Sequence, residues 1–192
     1  MVTFRDDKKV ITIHRPDLKE KFFFFLSGMV VSIAFTLFVK TLTKQLCVIM
    51  PLFYARICST VIFTPFVEEF TKAYPLFYRH GETEKSIFTL GVIVGSGFGI
   101  TEFLIYIFQF GESIYSRLPS IFFHAASTSI TAYGIARNRP LWPYLISVTL
   151  HSMNNLAAIF RLLWLVSGYP ILSVTLLISW YLYNKTSEKF VD

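Results

Sequence analysis

The sequence predicts an all-α fold, a polytopic membrane bundle of about six transmembrane helices with the N-terminus and the C-terminus both cytoplasmic. Three observations carry that reading. Hydrophobic residues make up 54% of the chain and charged residues only 16%, an imbalance with too little polar surface for a water-soluble domain of this size. The apolar residues fall into runs of about 20, the length that crosses a hydrocarbon core of roughly 30 Å. Lysine and arginine crowd into alternate connecting segments.

Residues 1–21 form a short charged cytoplasmic segment without a core of its own. The first span covers 22–39 and opens with Phe22–Phe25, which face lipid. It is no cleaved signal peptide, being too long for an h-region and lacking a small-residue cleavage site before Lys40. The second span covers about 55–78, with an apolar lead-in from Leu46. The third (86–109) carries Gly91, Gly95, Gly97 and Gly99, read as close helix packing rather than a locally unwound backbone. The fourth covers 118–136, the fifth 141–163 and the sixth 164–183. Residues 22–183 then form one transmembrane domain, and 184–192 a cytoplasmic tail.

With the N-terminus inside, twelve Lys/Arg lie on inner segments, among them Arg15, Lys21, Arg79, Lys85 and Arg137. The outer loops hold four: Lys40, Lys44, Arg117 and Arg161. This positive-inside bias sets orientation in a cytoplasmic membrane and absorbs the excess charge, so no nucleic-acid partner is called for. Cys47 and Cys58 lie in apolar surroundings without CxxC spacing and read as inert small hydrophobes.

The polar residues inside the spans are the exception that carries function. Glu68, Glu69 and Lys72 sit within five residues of one another on the second span, where each central charge costs roughly 2.5–3.5 kcal/mol on insertion. Counting about 1.5 Å per residue from the cytoplasmic end puts Glu69 about 14 Å deep, His151 about 15 Å and His124 about 18 Å. Glu102 comes out deeper, at about 24 Å. A shared depth near the midplane predicts one site built by four helices. Glu68 and Lys72, four apart, form a helical ion pair with Glu69 turned toward another partner. His151 and Asn155 share a face, as do His124, Thr128 and Thr131.

Glutamates and histidines converging in a dry interior suit activation of water. A desolvated carboxylate serves as general base, with His or Asn donating to an oxyanion; alternatively the Glu/His set ligates a zinc ion. Other intramembrane proteases are set aside by residue: HExxH is absent, no Asp lies in a span, and no GxSG supplies a serine.

Four motifs across residues 68–155 resemble those of the PrsW-type intramembrane metalloproteases, a family related to the CAAX prenyl endopeptidases and bacteriocin-processing proteases. Glu68-Glu-Phe-Thr-Lys72 resembles EExxK, Phe98-Gly-Ile-Thr-Glu102 resembles FxxxE, His124 opens the third motif, and His151-Ser-Met-Asn-Asn155 resembles HxxxN/D. Singly each motif is weak; in order, each in its own apolar span, they are specific. The resemblance implies an intramembrane endopeptidase in which Glu68, Glu69, His124 and His151 are catalytic or metal-binding. Glu102 stands where the CAAX branch has a histidine, which points to the PrsW branch. The implied mechanism has one of Glu68 and Glu69 activating water. Glu102 and His124 orient that water or, with His151, bind zinc. His151 and Asn155 stabilise the oxyanion, and Lys72 neutralises the carboxylate pair. The implied substrate is a membrane-anchored protein or peptide, such as an anti-sigma-like factor. The alternative from another class is a proton- or cation-coupled transporter using the same cluster. Against it, the chain has no internal repeat, and charges avoid the first and sixth spans.

Overall fold

A computed structural model describes residues 3–6, 9–12, 14–78 and 83–191. Helices dominate, as expected. Ahead of the first helix, strands β1 (Thr3–Asp6) and β2 (Lys9–Thr12) form a short antiparallel hairpin, in the register Thr3 opposite Thr12. Lys8 and Arg79, two of the inner cations, lie outside the described residues.

The first helix starts where Asp17 caps it. Asp17 Oδ1 accepts from the Glu20 backbone N–H at 2.8 Å, and Glu20 accepts from Asp17 N–H in return, satisfying two donors the first turn leaves without partners. Helix α1 (Leu18–Leu26) continues through a π-helical turn (Ser27–Ser32) into α2 (Ile33–Cys47), giving a 30-residue rod. The expected end at residue 39 was too early. Lys40 does not lie in an outer loop; it stays on the helix because a buried carboxylate, Glu68, meets it there.

The chain reverses around Pro51, and α3 (Leu52–Arg56) leads through a second π-helical turn (Ile57–Phe63) into α4 (Thr64–Ala73) and a 3-10 turn (Tyr74–Tyr78). Reversal brings Cys47 back beside Cys58, with Cα atoms 5.8 Å apart, and they form a disulfide. The reading of these cysteines as inert is therefore corrected. Sequence spacing did not reveal the pairing, since it depends on where the first helix stops. The two rods are also tied by Ser32, whose hydroxyl donates to the Thr71 carbonyl, and by a 2.8 Å Thr36–Thr71 hydroxyl contact.

Helix α5 (Glu84–Phe108), capped by Thr83, packs most extensively on α6 (Ile114–Ala136). A Cβ added at Gly95 would stand 2.3 Å from the His124 carbonyl oxygen, and one at Gly97 would stand 2.2 Å from that of Phe25. The packing reading of these glycines holds: α5 is unbroken, and its backbone touches helices on two sides. Helices α7 (Leu141–Ile159) and α8 (Arg161–Lys185) complete the bundle.

These rods follow the six expected spans in position. Among the described residues, two of them, Leu18–Cys47 and Glu84–Phe108, are long and apolar enough to cross a membrane. Two apolar cores flank the polar centre. One is built around Phe24, Leu76, Ile87, Val94 and Ile135, the other around Phe123, Ile130, Leu150 and Ile171.

Candidate functional site

Four helices deliver their polar side chains to one point. Glu68, Glu69 and Lys72 come from α4, Glu102 from α5, His124 and Ser127 from α6, and His151 from α7. Glu68, Glu69, Lys72, His124 and His151 are all buried. The shared depth read from sequence is thus real proximity, including Glu102, whose count placed it deeper. The reason is side-chain direction. Helical side chains lean toward their helix's N-terminus. Adjacent antiparallel α5 and α6 therefore tilt Glu102 and His124 toward each other, and Glu102 Oε2 meets His124 Nε2 at 2.7 Å.

Lys72 is the hub. Its ammonium donates to Glu69 Oε1 at 2.7 Å and to Ser127 Oγ at 3.2 Å, and it lies 3.0 Å from His124 Nδ1, which uses all three of its protons. The expected Glu68–Lys72 ion pair is not formed. Glu69, three residues before Lys72, is its partner. Glu68 Oε1 is taken instead by Lys40 at 2.5 Å. His151 bridges the glutamates: Nδ1 lies 2.8 Å from Glu69 Oε1, and Nε2 lies 3.5 Å from Glu68 Oε2. The two imidazoles meet edge-on, with centroids 5.3 Å apart, and Phe98 and Phe123 pack against them.

Two buried carboxylate oxygens, Glu68 Oε2 and Glu69 Oε2, have no hydrogen-bond partner. Leaving charged oxygens unsatisfied is costly, so these two call for a further group, and Glu68 Oε2 faces His151 Nε2. The charge balance agrees: three carboxylates face two ammoniums, leaving room for a cation. Glu68, His124 and His151 offer one ligand atom each within 4.8 Å of one another, a donor set of O and N that a divalent metal accepts. Glu68 Oε2 and His151 Nε2 fit a metal as they stand, and His124 joins them where Nδ1 gives up the Lys72 ammonium. Glu102, expected as a ligand, sits on the far nitrogen of His124, where it orients the ring.

Of the remaining expected residues, Asn155 points elsewhere: its amide donates to the Thr60 carbonyl in the π-helical turn, at 2.9 Å. Thr131 bonds Ser147, and Thr128 Oγ1 is buried without a partner. Two residues were missed. Lys40 read as a loop cation because it follows an apolar run. Ser127 also lies 3.3 Å from Glu69 Oε1, and its signal was present as the residue one turn after His124. Lys40 and Glu102 retain 32% and 18% side-chain exposure, so they mark the open edge of the site.

A family model described as PrsW family intramembrane metalloprotease matches residues 19–183 of the chain. No curated protein and no solved structure matches it.

Proposed function

The chain belongs to the PrsW family of intramembrane metalloproteases, and from that premise we propose that it hydrolyses a peptide bond of a membrane-anchored protein at a zinc site held by Glu68, His124 and His151. The observation that carries this reading is the buried, unpartnered Glu68 Oε2 in a cluster with His124 and His151. Zinc supplies Lewis acidity and a water of lowered pKa when bound.

The chain's own residues do the rest. Glu69 Oε1 is fixed by Lys72, Ser127 and His151, which aims the unpartnered Oε2 to take the proton of the attacking water. Glu102 fixes the orientation of His124, and Glu69 does the same for His151. Asn155 braces the turn that presents α4 by holding the Thr60 carbonyl. Peptide and water arrive past Lys40 and Glu102, the members of the site that keep exposure.

A specific observation favours a second reading within the same family chemistry. Both nitrogens of His124 already have partners, Lys72 and Glu102. In that reading no metal enters the inner sphere, a glutamate alone activates water, and His151 serves the oxyanion. This is the logic of the CAAX prenyl endopeptidases and bacteriocin-processing proteases, the kinship proposed for this chain.

The rest of the proposal concerns placement. Residues 22–183 form the protease domain, six helices span the cytoplasmic membrane, and both termini face the cytoplasm. The Cys47–Cys58 disulfide supports this orientation, because it lies at the opposite end of the first rod from the N-terminus, where the oxidising side would be. An anti-sigma-like membrane protein is one substrate of the proposed class.

The deciding experiment purifies the protein into lipid nanodiscs. It measures bound metal by elemental analysis and cleavage of a quenched-fluorescent transmembrane peptide. The expected result is about one zinc per chain, lost together with cleavage in His151→Ala. Cleavage with no bound metal selects the second reading, and cleavage that survives both Glu69→Gln and His151→Ala overturns the site assignment.

A further inference from the structure

A second polar feature lies far from the Glu/His site. A cavity of about 180 Å³ opens where α1 and α5 begin, lined by Arg15, Lys21, Lys85, Ser86, Thr89 and Glu188 among others. Lys85 and Glu102 are 17 residues apart on one helix, roughly 25 Å along its axis. We propose that this cavity binds the phosphate of an anionic phospholipid headgroup.

Position supports that ligand first. Helix α1 and helix α5 start side by side, and each continues as a rod long and apolar enough to cross a membrane. Their common start is therefore an interface between water and hydrocarbon. Beside it, the exposed Leu18, Phe22 and Phe23 present a surface suited to acyl chains. At that depth the abundant anions are headgroup phosphates, and basic pockets between spanning helices are where they bind.

Charge supports it second. Three cations line the cavity against one carboxylate, Glu188, which reaches Arg15 at 3.4 Å. Glu84, adjacent in sequence, is turned away: it pairs with Arg137 at 2.8 Å and accepts from Ser187. The Lys85 ammonium lies over the Tyr183 ring, 5.5 Å from its centroid, where the aromatic face holds it near the cavity wall. Ser86 Oγ accepts from Thr83, which leaves the Ser86 hydroxyl proton to donate to a phosphate oxygen.

The tail adds a built-in competitor. Residues after α8 fold back on the start of α5: Glu84 N–H donates to the Lys189 carbonyl, and Lys85 N–H to that of Ser187. This contact sets Glu188 on Arg15, where a phosphate would otherwise pair. Removing the Glu188 charge then strengthens headgroup binding, whereas removing Lys21 and Lys85 weakens it.

The test is a lipid titration of the full chain in detergent, followed by native mass spectrometry, with short-chain phosphatidylglycerol, short-chain phosphatidylcholine and inorganic phosphate as probes. Phosphatidylglycerol is expected to bind at least tenfold more tightly than phosphatidylcholine, and inorganic phosphate weakly. Lys21→Gln/Lys85→Gln should lose about tenfold in phosphatidylglycerol affinity or more. Glu188→Gln should gain a few-fold, and this arm stands alone if the double variant fails to fold. Equal affinity for the two lipids overturns the proposal, as does an unchanged affinity in Glu188→Gln. Inorganic phosphate binding as tightly as the lipid assigns the cavity to a soluble anion and overturns the lipid source.

Discussion

The Lys40 ammonium from the first helix lies 2.5 Å from Glu68 Oε1, a carboxylate buried 28 residues away on the second rod. This pair ties the first helix to the site and leaves Glu68 with one oxygen held and one facing the histidines. Lys40 is thus a positioning residue. Lys40→Ala is expected to lower stability by about 1 kcal/mol, less than a buried charged hydrogen bond because the lysine is about a third exposed. It should also weaken metal binding several-fold, with Lys40→Arg recovering most of it. Denaturant unfolding and metal titration read the two effects separately; unchanged metal affinity in Lys40→Ala would remove the positioning role.

The two adjacent glutamates have different partners, so their variants should differ. Glu68→Gln removes a proposed ligand and is expected to lose both metal and cleavage. Glu69→Gln should keep metal while cleavage falls by about 10²–10⁴, the range for a lost general base. Elemental analysis beside a peptide-cleavage assay checks this, and identical behaviour of the two variants would contradict the division of roles.

Gly95 permits the contact between α5 and α6 that sets His124. A Cβ there would meet the His124 carbonyl oxygen at 2.3 Å, so Gly95→Ala must push the helices apart. The expected cost is about 1–3 kcal/mol, with cleavage reduced although no polar group is removed. Thermal unfolding in detergent measures it, and wild-type stability would show that the contact is softer than the geometry implies.

The Cys47–Cys58 bridge closes a short loop, with a sequence separation of 11, between the rods that bring Lys40 and Glu68 together. Reduction, or Cys47→Ser/Cys58→Ser, should cost about 3 kcal/mol by loss of the constraint on the unfolded chain. After reduction, a membrane-impermeant maleimide applied to intact cells should label the thiols. Labelling only after lysis would place the bridge inside and reverse the proposed orientation.

The amino-acid sequence alone was enough for the helical rods and for the polar centre's glutamates, histidines and Lys72, but not for Lys40 and Ser127. Apart from the first helix, which runs on to Cys47, apolar runs ended near the observed helix ends because a hydrophobic stretch and its flanking charges are local properties of the chain. Counting depth along those runs gathered Glu69, His124 and His151, since the rise of a helix is fixed by its backbone. Tertiary structure alone decided the partners. It paired Lys72 with Glu69, not Glu68, and supplied Lys40 from a helix expected to have ended. It also joined Cys47 to Cys58 and turned Asn155 onto Thr60. The physical reason is that a buried charge takes whichever opposite charge the packing brings within reach. That choice depends on helix rotation, side-chain lean and the close approach of α5 and α6 at Gly95, quantities set between helices and not along any one of them.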